Sequence, residues 1–154
     1  MSYCKIVIPW TPQTKAKVSL QTAGFYQPAT RGIKHTKKLV KKQLGEQTLL
    51  DGALFLCVHY VIPAPLSLPE IKRKEMDGLP HAKNPHMQYF DDFLETVLCG
   101  TVYTPESKIV GQLRYKSLTK DKIGKTIVSV HAIGDDVRKF SSFFAEELPK
   151  EMFF

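Results

Sequence analysis

Between Pro85 and Val110 the chain sets down His86, Gln88, Asp91, Asp92, Glu95 and Glu106. These are side chains that can bind a divalent cation or move a proton. Asp92 follows Gln88 by four residues and Glu95 follows it by seven, so steps of about 100° per residue bring all three to one side of a helix. Together with Glu106, and with His86 just ahead of the helix, Asp92 and Glu95 could form a His-plus-carboxylate set. Such a set suits manganese or another transition metal better than magnesium. The plainer reading makes Asp91, Asp92 and Glu95 the solvated face of an amphipathic helix, and His86 a loop residue that makes hydrogen bonds.

A second chemistry is carried by cations. Lys15, Lys17 and Arg31 lie near the N-terminus, Lys34, Lys37, Lys38, Lys41 and Lys42 crowd one short stretch, and Lys72, Arg73, Lys74 and Lys83 precede the acidic segment. The net charge is +7. A basic chain attracts polyanions, and contacts to phosphate supply most of the sequence-independent affinity for nucleic acid. A solvated lysine-rich surface is the alternative.

The elements that must position these residues can be traced along the chain. "CKIVIPW" reads as a strand ended by prolines, and the polar stretch to Gly32 as a long loop or small hairpin. "IKHTKKLVKKQLG" has Ile33, Leu39, Val40 and Leu44 near helical spacing, with Thr30 as its expected cap and Gly45 as its stop. "ALFLCVHYVI" is a continuous apolar run, a central strand closed by Pro63 and Pro65. "PLSLPEIKRKEMDGLPHAKNP" is part short helix and part loop. From Met87 to Cys99, Phe90, Phe93, Leu94 and Val97 form one apolar stripe, which predicts a helix that Gly100 ends. "KIVGQLRYKS" and "TIVSVHAI" read as two strands joined by a hairpin-like "LTKDKIGK", and "DDVRKFSSFFAEEL" as a last helix. The order predicts an α+β domain spanning 1–154, with one mixed sheet and helices packed on it.

The totals agree with a globular chain of 154 residues, 43% hydrophobic and 24% charged. No apolar run reaches the roughly 18–20 residues a membrane helix needs, and "MSYCKIVIPW" has no signal-peptide pattern. Cys4, Cys57 and Cys99 are in no metal-ligand spacing. An odd, scattered set suits buried thiols in a reducing compartment. A cytoplasmic protein without a membrane partner is expected.

Four segments in order resemble the RusA-type Holliday-junction resolvases: "IPWTPQTKAK", "FYQPATRGIKHTKKLVKKQL", "VHYVIPAPLSLPEIKRKEMDGLPHAKNP" and "PHMQYFDDFLETVLCGTVYTPESKIVGQLRYK". The last resembles the family pattern P-D-x-D-N-L-x-K-x-x-x-D-x-L-x-G followed by D-D-x-x-V. The resemblance covers roughly residues 4 to 131. It implies a RusA-like fold, a homodimer, four-way junction DNA as partner, a role in recombination and repair, and a magnesium-dependent endonuclease site. By the same resemblance, Lys15, Lys17, Arg31, Lys72, Arg73, Lys74 and Lys83 line the path of the DNA.

Position by position, the catalytic pattern departs. The two leading aspartates fall on His86 and Gln88, the asparagine on Tyr89, and the lysine on Asp92. The helix aspartate falls on Thr96, and the trailing pair on Pro105 and Glu106. Magnesium prefers hard oxygen ligands with carboxylate charge. A histidine nitrogen and a neutral amide replace that charge poorly, and Asp92 opposes the phosphoryl charge a lysine would stabilise. Three readings follow. One is a junction-binding protein with weak or no magnesium-dependent cleavage. Another is an active nuclease whose metal, of the manganese type, sits on Asp92, Glu95 and Glu106. The last is a protein-interaction module on a nuclease fold.

Overall fold

The computed structural model describes residues 2–10, 27–82, 87–134 and 137–152. β1 (Ser2–Ile8) precedes α1 (Gln27–Leu44), β2 (Ala53–Pro63), α2 (Glu70–Met76), α3 (Met87–Leu98), β3 (Lys108–Thr119) and β4 (Lys125–Ala132). The chain ends in α4 (Val137–Ser142), which widens into one π-helical turn, Phe143–Glu147, and continues as α5 (Leu148–Met152). Pro149 accounts for the widening. It has no N–H to donate, and its ring would press on the carbonyl four residues back in a regular helix.

The four strands form one mixed sheet in the order β1-β4-β2-β3. β4 runs antiparallel to both β1 and β2, with Cys4 opposite Val130 and Val58 opposite Val128. β2 and β3 are parallel, with Cys57 opposite Leu113. β2 has the longest apolar run and is central because both its faces are covered. Leu54, Leu56, Val58 and Tyr60 point into the larger core, with Ile6, Val40 and the α3 stripe. Phe55 and Cys57 point the other way, against Ile133, just past β4, and Phe143 of the C-terminal helix. The α+β class with one mixed sheet therefore holds.

Phe90, Phe93, Leu94 and Val97 are all buried, as the stripe predicts. Cys4 and Cys57 are buried, and Cys99 is half-buried. Two local expectations need correction. Helix α1 starts at Gln27, so Thr30 lies inside it and is not its cap. Pro28 fits a first turn, where the missing N–H had no helical partner anyway. The strands β3 and β4 are also not a hairpin, because β2 lies between them. The 120–124 connection instead crosses the end of β2, where Ala64 N donates to Thr119 O at 2.8 Å.

Both sheet edges are covered in part. On β1, Gln43 takes the place of a neighbouring strand: Val7 N donates to its Oε1 at 3.0 Å and its Nε2 donates to Val7 O at 2.6 Å. On β3, Leu118 N donates to Leu79 O at 2.8 Å, and His81 N donates to Lys116 O at 3.1 Å. This second cover, residues 79–81, follows α2 in the chain.

Candidate functional site

Helix α3 presents its acids in two different settings. Asp92 and Glu95 are exposed, as expected. Asp91 is not part of that solvated face: Tyr60 Oη donates to its Oδ1 at 2.6 Å, and its Oδ2 meets Arg114 Nη1 of β3. The Asp91 side chain retains 18% exposure and Tyr60 none. Helical geometry explains the split. Asp91 lies about 100° around from Phe90, next to buried Leu98, whereas Asp92 is turned roughly 200° away. Burial raises the Tyr60 hydroxyl far above its usual range, and Arg114 opposes that rise in part. Tyr60 therefore stays a neutral donor, and Asp91 is the acceptor for both partners.

Glu106 is exposed and lies in the 104–107 turn between α3 and β3. That turn is fixed by Asp51, whose Oδ1 accepts from Thr104 Oγ1 and Gly52 N, each at 2.8 Å, and from Ser107 Oγ at 3.4 Å. The Thr104 bond and then the Gly52 bond hold the Asp51 carboxyl below its ordinary range. Tyr103, just before the turn, is held at about 12 by burial, then by the charges of Glu95 and Cys99.

Asp91 is already matched by a guanidinium, and one oxygen of Asp51 accepts three hydrogen bonds. Asp92, Glu95 and Glu106 are exposed, and among the described residues no three His, Cys, Asp or Glu side chains form a group able to hold a metal. His86 lies outside the described residues, as do Lys15, Lys17, Lys83 and the side chains of Gln88 and Arg31.

The cations fall into two classes. Lys34, Lys38, Lys41 and Lys42 are exposed along α1, and Lys37 is half-buried. On α2, Lys72 and Lys74 are exposed, and Lys74 pairs with Glu70 at 3.3 Å. Arg73 between them is turned inward and is only 8% exposed. Its Nη2 donates to the carbonyl oxygen of Asp121 at 3.1 Å, tying α2 to the 120–124 connection. Within that connection Lys120 N donates to Asp77 Oδ1 at 2.8 Å.

Asp91, Arg114 and Tyr60 as a unit, and the inward turn of Arg73, were not legible in the sequence. Neither was the setting of His59, whose Nε2 lies 2.6 Å from Ser117 Oγ and whose ring stacks on Tyr115 at 4.1 Å. Burial, then Lys125, lowers the His59 pKa and favours the neutral ring. The one available signal was the strand alternation that puts His59 and Tyr115 on the same sheet face. No family model matches this chain, and a search of curated proteins finds no match either. No helix among the described residues is long and apolar enough to cross a membrane.

Proposed function

We propose that this chain is a RusA-like, homodimeric protein of recombination and repair that binds branched DNA and has little or no magnesium-dependent nuclease activity. The observation that carries the reading is a pairing of losses and survivals. The positions that would hold carboxylates and the lysine in the family are occupied by His86, Gln88, Asp92 and Pro105. The lysines of α1, with Lys72 and Lys74, are retained and mostly exposed. Three of the four resembling segments run through α1, β2–α2 and α3–β3, and the first begins at Ile8, the last residue of β1. The acids need not repel DNA as a block, since Asp91 is neutralised by Arg114.

Lysines at the surface act as point charges on phosphates, so binding should weaken steeply with salt, with a log–log slope of about −0.9 per neutralised phosphate on duplex DNA. The test is a gel-shift titration on a four-way junction and on a linear duplex of the same sequence, at several salt concentrations. A preference for the junction is expected, and Lys72→Ala with Lys74→Ala should flatten the slope by up to about 2. Arg73 is left in place because it is inside the fold. No junction binding at low salt would sink the DNA reading, and would favour the protein-interaction alternative. Light scattering should return twice 17.5 kDa.

A further inference from the structure

The space between α2 and the 120–124 connection is a cavity of about 680 Å³. Arg73, Lys74, Lys120 and Lys122 line it, with Glu70, Asp121 and one apolar side chain, Leu68. Four cations against two carboxylates leave two positive charges in excess. Lys74 and Glu70 satisfy each other. Lys120 and Lys122 have no ion-pair partner among the described residues.

Arg73 adds an independent observation. The residue is more than nine-tenths buried, and among the described residues its one hydrogen bond goes to a neutral carbonyl and its buried Nε has no partner. A buried cation is costly unless it is matched by an anion. The planar guanidinium also suits the oxygens of a phosphate group. The excess of two charges matches a phosphomonoester, which carries about −1.5 to −2 near neutral pH, better than a singly charged phosphodiester. Among the described residues no aromatic side chain lines the cavity, so none of them would stack on a base there. The volume is larger than a bare phosphate requires and leaves room for whatever carries it.

We infer that this cavity is a binding site for a phosphomonoester dianion, supplied by the terminal phosphate of a nucleic-acid strand or by a free phosphate. The inference goes beyond junction binding and does not require it, because a continuous four-way junction offers only phosphodiesters along its arms.

The experiment is calorimetric titration of the full chain at low salt. The ligands are inorganic phosphate and a short single-stranded oligonucleotide with either a 5′-phosphate or a 5′-hydroxyl. Saturable binding of one phosphate per chain is expected at about pH 7.5, weakening by about tenfold or more near pH 5 as the second proton returns to the ligand. Sulfate, which stays a dianion throughout, should lack that pH dependence. The variant Lys120→Ala with Lys122→Ala should lose at least about tenfold in phosphate affinity. Both lysines are exposed, so the fold, followed by circular dichroism, should be unchanged. Tighter binding of the 5′-phosphate strand than of the 5′-hydroxyl strand identifies a strand end as the source. Equal binding of the two strands, with inorganic phosphate still bound, identifies a free phosphate. Absence of saturable phosphate binding overturns the inference, and so does undiminished binding by the folded double variant. Junction affinity reads out separately in this double variant, since Lys120 and Lys122 are not among the lysines assigned to the junction, although Lys74 lines the cavity as well.

Discussion

Two charged clusters flank the edge strand β3, and they are built on opposite terms. In the first, Asp91 of α3 receives the Tyr60 hydroxyl and the Arg114 guanidinium, so each strong donor has an acceptor. In the second, Arg73, Lys120 and Lys122 surround a cavity that holds too few carboxylates to match them. The difference separates two uses of charge. A matched, part-buried set fastens a helix to a sheet and leaves nothing over for a ligand. An unmatched set, costly in the free protein, gains its partner only when an anion arrives.

If the first cluster is a fastener, breaking it should have the largest effect on stability. Asp91→Ala strands a buried hydroxyl and a guanidinium together, and chemical denaturation should show a loss of about 2–3 kcal/mol. A loss near zero would return Asp91 to the solvated face. Tyr60→Phe removes one donor but keeps the ion pair, so the expected loss is smaller, about 0.5–1.5 kcal/mol.

Acid should expose a third group that sits between these extremes. The folded pKa of His59 is depressed, so the native state favours the neutral ring. The unfolded chain binds the proton at about 6.5. The stability from neutral His59 is therefore complete above that pH and declines as pH falls below it, toward the lower folded value. Thermal melts between about pH 8 and pH 5 should show this decline, and His59→Gln should reduce it. A slope unchanged by the substitution would assign the acid sensitivity elsewhere. Smallest of all, Lys120→Ala with Lys122→Ala should change stability by no more than about 0.5 kcal/mol without phosphate, as surface substitutions do. A large loss would make these lysines fasteners too.

The same contrast marks what was legible in the sequence. The α3 stripe, the central strand β2 and the glycine stop at Gly45 (φ 61°) follow from local periodicity and backbone preference, and the structure agrees on all three. Local patterns do not report which strand lies beside which. The β3–β4 connection looked like a hairpin because both strands are short-range neighbours in sequence, but the apolar run of β2 claims the place between them. The inward placement of Asp91 and Arg73 was hidden for a similar reason. Their partners, Tyr60 and Asp121, are 31 and 48 residues away, and composition gave no sign of them. Gly111 was unreadable in the same sense: a side chain there would overlap the ring of Phe55 on the neighbouring strand. The sites expected at His86, Lys15, Lys17 and Lys83 fall outside the described residues.

Junction binding with a lapsed catalytic centre is proposed chiefly on the chemistry at α3. Loss of one charge-stabilising group typically lowers a rate by about 10²–10³, and losses within one catalytic unit need not add. The decisive measurement is cleavage of a labelled four-way junction by the unmodified protein in magnesium, beside the variant His86→Asp, Gln88→Asp, Asp92→Lys, Pro105→Asp. Binding without cleavage is expected from the unmodified chain, with any gain confined to the variant. Resolution of the junction by the unmodified protein in magnesium would contradict it. Cleavage in manganese alone, abolished by Glu106→Ala or Asp92→Ala, would replace it with a rearranged metal site on Asp92, Glu95 and Glu106.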